Sequence, residues 1–159
     1  EARPMPFWGA GGTRASSSVP KGTESRLSAP QIVTLLENEA GEDINVIEMH
    51  GLHNGLLGDV IVLVTGNSNR HITRLADCIV QAASDADLRS KQGKRPAIEG
   101  EGGDTWLLID LDKIVVHIFS REGRAYYDLD TLWTKRVQRH LGLAPEEEDV
   151  DDEAEDETR

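Results

Sequence analysis

Asp110 and Asp112 stand two residues apart at the end of an apolar run, Trp106–Asp110. In a strand, residues i and i+2 share a face, so two such carboxylates could jointly hold a divalent cation. A pair of this kind, soon after a Gly-Ser turn, serves nucleotidyl transfer. Here a whole helix and a long loop separate Gly66 from Asp110, and the sequence places no third acid beside them. Asp is also a favoured turn residue, and a turn is the stronger reading. A second candidate is Thr65-Gly66-Asn67-Ser68, where a buried strand meets a helix. Free N–H groups and the helix dipole at such a junction could hold a phosphate. One glycine and one serine say little for that, and a plain turn and cap is favoured.

The remaining reactive side chains point away from catalysis. His117 lies within an apolar run beside Val115, Val116 and Ile118. Its expected place is in the core or at a sheet edge, hydrogen-bonded to a neighbour. No serine or cysteine can be tied to it as a nucleophile. Cys78, the single cysteine, falls beside the apolar face of a helix, where a cysteine is ordinarily inert packing. One cysteine permits no disulfide within the chain and fits a reducing compartment. His50, His53, His71 and His140 have no ligand spacing, so neither zinc nor any other metal or cofactor is expected. What remains is a basic and aromatic region: Arg121, Arg124, Lys135, Arg136 and Arg139 interleaved with Tyr126, Tyr127 and Trp133. Tyr, Trp and Arg are enriched at interface hot spots. The plainer account closes the core with Trp133 and leaves the bases in water. The alternative is contact with a protein or an RNA backbone.

These residues need a frame. Ser28 can cap a first helix, with Pro30 in its first turn, Ile32, Val33, Leu35 and Leu36 as its apolar stripe and Gly41 as its end. Ile44–Met49 reads as a strand. Val60–Val64 is an unbroken β-branched run, expected to be a strand buried on both faces. The clearest helix follows, capped by Asn67 or Ser68, with Ile72, Leu75, Ala76, Ile79, Val80 and Ala83 on one face. Residues 89–104 form a polar loop with room for a short extended piece at 96–99. Trp106–Asp110 and Ile114–Phe119 read as strands joined by a tight turn at Leu111-Asp112-Lys113. Arg121–Tyr127 is expected to turn the chain, with a short strand as an option. Asp128 or Asp130 can cap a last helix carrying Leu129, Leu132, Trp133, Val137 and Leu141 on one face and ending at Gly142. The order α-β-β-α-β-β-α describes an α/β layer around a small mixed sheet flanked by helices.

Composition then sets the borders. The 159 residues carry a formal charge of −12, but residues 145–159 alone hold ten acids and one arginine, a net of −9. Residues 1–144 carry only −3, so the body is nearly neutral. A block of like charges repels itself and is expected to be a disordered tail, here 143–159. Residues 1–27, rich in Gly, Ser, Pro and Arg, read as a flexible extension or as the remnant behind a cleaved organellar transit peptide. Residues 28–142 form the domain. No apolar run approaches the ~20 residues that span a bilayer.

Two segments together resemble a known family. Asp59–Gln81 carries Thr65, Gly66, Ser68, Arg70, Ala76 and Asp77; an earlier stretch carries Asp43, Ile44 and Gly51. Thr105–Trp133 carries Trp106, Asp110, Val116, His117, Phe119, Arg124, Tyr127, Leu129, Leu132 and Trp133. In this order they resemble the ribosomal silencing factor (RsfS, or Iojap) family over about residues 29–133. The resemblance implies a nucleotidyltransferase-like α/β fold without the catalytic residues. It implies docking on protein fourteen of the large ribosomal subunit (uL14), possible adjacency to rRNA, and steric blocking of small-subunit joining, in silencing or in late assembly. In mitochondrial relatives it implies a LYR-motif protein and an acyl carrier protein as companions. A homodimer off the ribosome is a further expectation. Four departures mark this chain: a loop between Gly51 and Asp59 longer by two residues, Asp112-Lys113 where Gly-Asp is common, a closing helix that runs to about Leu141, and both terminal extensions. The leader and the absent initiator Met suggest an organellar member, mitochondrial first, with chloroplast stroma or bacterial cytoplasm as alternatives. Arg70, Lys113, Arg124, Tyr127 and Trp133 are the expected partner contacts, with Asp110 and His117 shaping the sheet behind them. The competing reading is a Mg²⁺-dependent nucleotidyltransferase-like enzyme using Asp110 and Asp112. A third is a scaffold that recruits a basic protein through its acidic tail.

Overall fold

The computed structural model describes residues 27–52, 58–90, 92–100 and 105–143. Helix α1 (Ala29–Asn38) opens the chain, followed by strands β1 (Glu42–Glu48) and β2 (Val60–Thr65) and helix α2 (Asn69–Asp85). Strands β3 (Ile98–Glu99), β4 (Trp106–Asp110) and β5 (Ile114–Phe119) come next, then helices α3 (Arg121–Tyr127) and α4 (Leu129–His140). The five strands form one mixed sheet in the order β1-β2-β5-β4-β3. Only β2 and β5 run parallel, with Val60 opposite Ile114 and Thr65 opposite Phe119. The other three pairings are antiparallel.

The alternation of side chains divides the interior in two. Val62 and Val64 of β2, Val116 and Ile118 of β5, and Leu107 and Ile109 of β4 point to the face covered by α1 and α2. There they meet Ile32 and Leu36 from α1 and Ile72, Leu75, Ala76, Ile79 and Ala83 from α2, all buried. Ile61 and Leu63, with Ile47, Met49 and Phe119, point the other way, toward Val137, Trp133 and Leu129 of α4. β2 is thus buried on both faces, as its unbroken apolar run requires.

Local signals end the elements, with some differences from expectation. Ser68 caps α2, its Oγ accepting from the His71 N–H at 3.2 Å. α1 ends without using Gly41 as its left-handed residue: Ala40 takes that conformation at φ 59°. Gly41 serves for space, since a Cβ there would lie 2.8 Å from Val64 Cγ2. Arg121–Tyr127 is a helix and adds no strand, correcting that option. Ser120 caps it by accepting the Gly123 N–H at 3.0 Å, and Asp128 at φ 42° ends it. The same Asp128 begins α4 through the Thr131 N–H at 3.4 Å, so one residue is the corner between two helices. β1 starts at Glu42, two residues earlier than expected, because an irregularity between Glu42 and Asn45, with Asp43 at φ 48°, lets the strand resume pairing. The two terminal extensions, at 1–26 and 144–159, and most of the lengthened loop, at 53–57, lie outside the described residues.

Gly66 is where β2 passes under the first turn of α2. Its N–H donates to the Phe119 carbonyl at 2.8 Å, and a Cβ there would sit 2.7 Å from Ile72 Cγ1 and 3.1 Å from Ile72 N. Gly66→Ala should therefore destabilise the fold by about 1–3 kcal/mol, read as a lower urea midpoint at unchanged slope. An unchanged midpoint would mean that α2 lifts off the strand without cost.

Candidate docking surface

The sheet's second face holds the residues that the sequence singled out. Trp106 of β4 and His117 and Phe119 of β5 lie side by side on it. The Trp106 ring centroid is 5.7 Å from that of His117 and 5.2 Å from that of Phe119, near parallel to both. Tyr127, at the end of α3, tilts over the stack 4.9 Å from Trp106 and 6.1 Å from Phe119. Tyr126 meets Tyr127 edge-on at 5.0 Å. Burial grades across this cluster. Phe119 is fully buried and His117 is 7% exposed, but Tyr127 is 42% and Tyr126 83% exposed. A layer that begins in the core thus ends as two neighbouring tyrosines in solvent.

His117 is part of that layer. The Trp106 Nε1–H donates to His117 Nδ1 at 3.1 Å, so the imidazole proton sits on Nε2. Burial disfavours the imidazolium and pushes the His117 pKa down from 6.5 to about 4. The ring is therefore neutral at physiological pH, a hydrogen-bonded core histidine as expected.

A polar clasp holds α3 and α4 against the sheet. Arg124 grips Asp130 with two bonds, Nε to Oδ2 at 2.6 Å and Nη2 to Oδ1 at 2.8 Å, and its Nη1 donates to Thr65 Oγ1 at 3.0 Å. Asn45 Nδ2 donates to the same carboxylate at 2.8 Å. The Arg124 guanidinium holds the Asp130 carboxyl below the usual carboxylate range. Four elements, β1, β2, α3 and α4, meet at this point. Arg121 reaches Glu42 with three more bonds at 2.7, 3.0 and 3.2 Å, but on the open surface, where such a pair adds little. Arg124 thus serves as a positioning residue for the aromatic layer. The sequence offered Asp130 only as a cap, and Asn45 and Asp130, 85 residues apart, carry no local signal of their contact.

The expected contact residues do not form one patch. Arg124 and Tyr127 meet the end of the sheet where β2 and β5 finish, at Thr65 and Phe119, and Trp133 packs on the same face from α4. Arg70 is exposed at that end on the first turn of α2. Lys113 precedes β5 and lies at the opposite end, about 16 Å away along five strand steps. Beside it, Asp110 Oδ1 accepts the Asp112 N–H at 2.8 Å while Asp112 takes φ 69°. The aspartates form a turn, with Asp112 in the conformation that glycine adopts freely. The other phosphate candidate is also closed by its own groups. Gly66 N–H is taken by Phe119, Asn67 N–H donates to His71 Nδ1 at 3.1 Å, and Ser68 Oγ caps α2. Cys78 is half-buried, and burial raises its thiol pKa. Among the described residues no group of three or more His, Cys, Asp or Glu could hold a metal ion.

Residues 22–159 match the family model described as ribosomal silencing factor during starvation. Among curated relatives, "Protein Iojap-related, mitochondrial" of Arabidopsis thaliana is 28% identical over 68% of this chain and 57% of its own length. "Ribosomal silencing factor RsfS" of Halalkalibacterium halodurans is 30% identical over 64% of this chain and 80% of its own. "Mitochondrial assembly of ribosomal large subunit protein 1" of Mus musculus is 30% identical over 70% of this chain and 47% of its own. The chain thus spans about half the length of the two mitochondrial relatives. A crystal structure of a Chromobacterium violaceum protein superposes with a TM-score of 0.56 at 27% identity, covering 65% of this chain and 80% of that one. One from Bacillus halodurans does so with 0.53 at 29%, covering 64% and 89%.

The buried layer makes two measurable demands. His117 has a folded pKa below its unfolded one, so its contribution is complete above pH 6.5 and is lost as pH falls toward 4, where the unfolded chain takes the proton first. Relative to His117→Gln, which keeps an acceptor for Trp106 and does not titrate, the native chain should lose about 2–3 kcal/mol between pH 7 and pH 4. Parallel stability curves for the two proteins would remove His117 from the interior. Arg124→Met leaves Asp130 part-buried with its countercharge gone and should cost about 3 kcal/mol. A double variant with Asp130→Leu should recover part of that loss in chemical denaturation.

Proposed function

Since the chain belongs to the ribosomal silencing factor family, we propose that it acts by occupying a surface of the large ribosomal subunit and not by catalysis. The observation that carries this is the open end of the aromatic layer. Tyr127 and Tyr126 stand in water on a base of Trp106, His117 and Phe119 that cannot move. Rigid aromatics lose little entropy on binding and leave water easily, which suits the centre of an interface. Trp133, with Arg136 5.0 Å over its ring, and Leu132, 39% exposed, continue the surface along α4.

In the finer reading, this surface meets large ribosomal subunit protein uL14, and a subunit so covered cannot join its small partner. The action is steric, so one contact serves silencing or late assembly according to when it forms. The tyrosines and Trp133 are its centre, and Arg124 positions them. Lys113 and Arg70 fall outside this centre and reach only a wider contact or adjacent rRNA. Two relatives named as mitochondrial favour the mitochondrial matrix as the site of action. The LYR-motif protein and the acyl carrier protein remain its companions in this reading. The turn geometry of Asp110 and Asp112 gives the nucleotidyltransferase reading no support.

In gradient sedimentation with ribosomal particles, the protein should travel with free large subunits and be absent from joined ribosomes. Tyr126→Ala with Tyr127→Ala should weaken that association by about tenfold or more, while circular dichroism stays native. Migration at the top of the gradient in both low and high salt would sink the ribosomal reading. Undiminished binding by the double variant would move the contact to another face.

A further inference from the structure

The outer surface of α4 is cationic, and its charges have no acidic partner among the described residues. Lys135, Arg136 and Arg139 are all exposed. Arg74, Arg89, Arg121 and Arg124 each hold a carboxylate. Among the described residues Lys135, Arg136 and Arg139 hold none; nor do Arg70, Lys94, Arg95 and Lys113, but only the first three share one helix face. The dipole of α4 accounts for Arg139 and His140 in its last turn. It does not account for Lys135 and Arg136 a turn earlier.

The way the chain leaves α4 bears on what covers them. Leu143 N–H donates to the Gln138 carbonyl at 2.8 Å, Gly142 N–H donates to that of Arg139 at 3.0 Å, and Gly142 has φ 68°. This double closure turns the chain off the helix axis at once. The ten acids of 146–157 follow directly. Placed straight ahead, they would crowd the negative pole of α4. Turned back, they meet its cations. From Leu143 to Lys135 is about 12 Å along the helix, a span that about four extended residues cover. Tethered so closely, the acids face the cations at millimolar effective concentration without a partner.

We propose that residues 146–157 fold back along α4 and occupy the face of Lys135, Arg136 and Arg139, where they keep other polyanions out. The tail is then a built-in competitor for phosphate backbones. RNA without a further contact is rejected, and a surface that also engages the tyrosines can displace the tail. This does not depend on which ribosomal surface the aromatic face meets.

Zero-length carbodiimide coupling on the full chain, read by mass spectrometry, tests the contact. At low salt Lys135 should couple to the acids of 146–157 at least about fivefold more than Lys94 or Lys113, and the preference should vanish in ~0.5 M salt. Equal coupling at the three lysines would overturn the proposal. The consequence is tested with a labelled twelve-nucleotide polyuridine. Converting the ten tail acids to amides should tighten binding by about tenfold, and adding Lys135→Gln, Arg136→Gln and Arg139→Gln should abolish that gain. A gain of the same size in the combined variant would show that the tail repels RNA only through net charge, and would also overturn the proposal.

Discussion

The Arg124–Asp130 pair is the constraint on which the covering of the sheet's second face depends. The sheet has two faces and unequal means of covering them. α1 and α2 close the first with a continuous apolar layer, and that layer needs no polar help. The second is covered by α4, which gives it one buried side chain, Val137, and by a seven-residue α3. Helices that short are marginal by themselves. The guanidinium fixes them from one point, with two bonds to α4, one to the end of β2, and Asn45 of β1 on the same carboxylate. Direct bidentate pairing with a third bond to Thr65 is an arrangement in which partial burial of charge is tolerable. Tyr127 sits three residues after Arg124, so its ring is placed over Trp106 by the same anchor.

Much of this was legible in the sequence because it is local. The β-branched run at Val60–Val64 and the apolar spacing of α2 show in the residues themselves, and the structure places both as expected, as it does the cap at Ser68 and the stop at Gly142. The mixed sheet flanked by helices also matches. What was illegible is non-local or degenerate. Arg121–Tyr127 has too few residues for helical periodicity to show, and its two tyrosines favour a strand by propensity. Its helix is made by the Ser120 cap and by the Asp128 corner. Gly41 reads as a helix stop because glycine usually is one; its real task, room for Val64, depends on a strand that the local sequence does not contain. The clasp joins residues 45, 65, 124 and 130, which no pattern of spacing connects. Lys113 and Tyr127 lie in one motif, yet the parallel register of β2 with β5 puts them at opposite ends.

The candidate catalytic groups are engaged within the chain itself. Asp110 and Asp112 share a strand end, yet one accepts the backbone N–H of the other. In the turn before α2 the N–H groups of Gly66 and Asn67 are taken by Phe119 and His71, and Ser68 Oγ takes the His71 N–H. In each case a group that could meet a ligand meets its own backbone or a neighbouring side chain. The exposed tyrosines are instead at the edge of the second face, Tyr127 42% and Tyr126 83% exposed.

Both borders of the sheet are unfit for extension. β3 has two residues, and β1 is interrupted between Glu42 and Asn45, with Asp43 held at a positive φ and acids at both its ends. A foreign strand finds no straight, uncharged ladder to continue. Self-association must therefore be built from side chains, and so stays reversible and sensitive to single substitutions. This separates adhesion from aggregation: the exposed apolar part is a face of rings, and among the described residues neither sheet border offers a straight backbone template on which copies could stack.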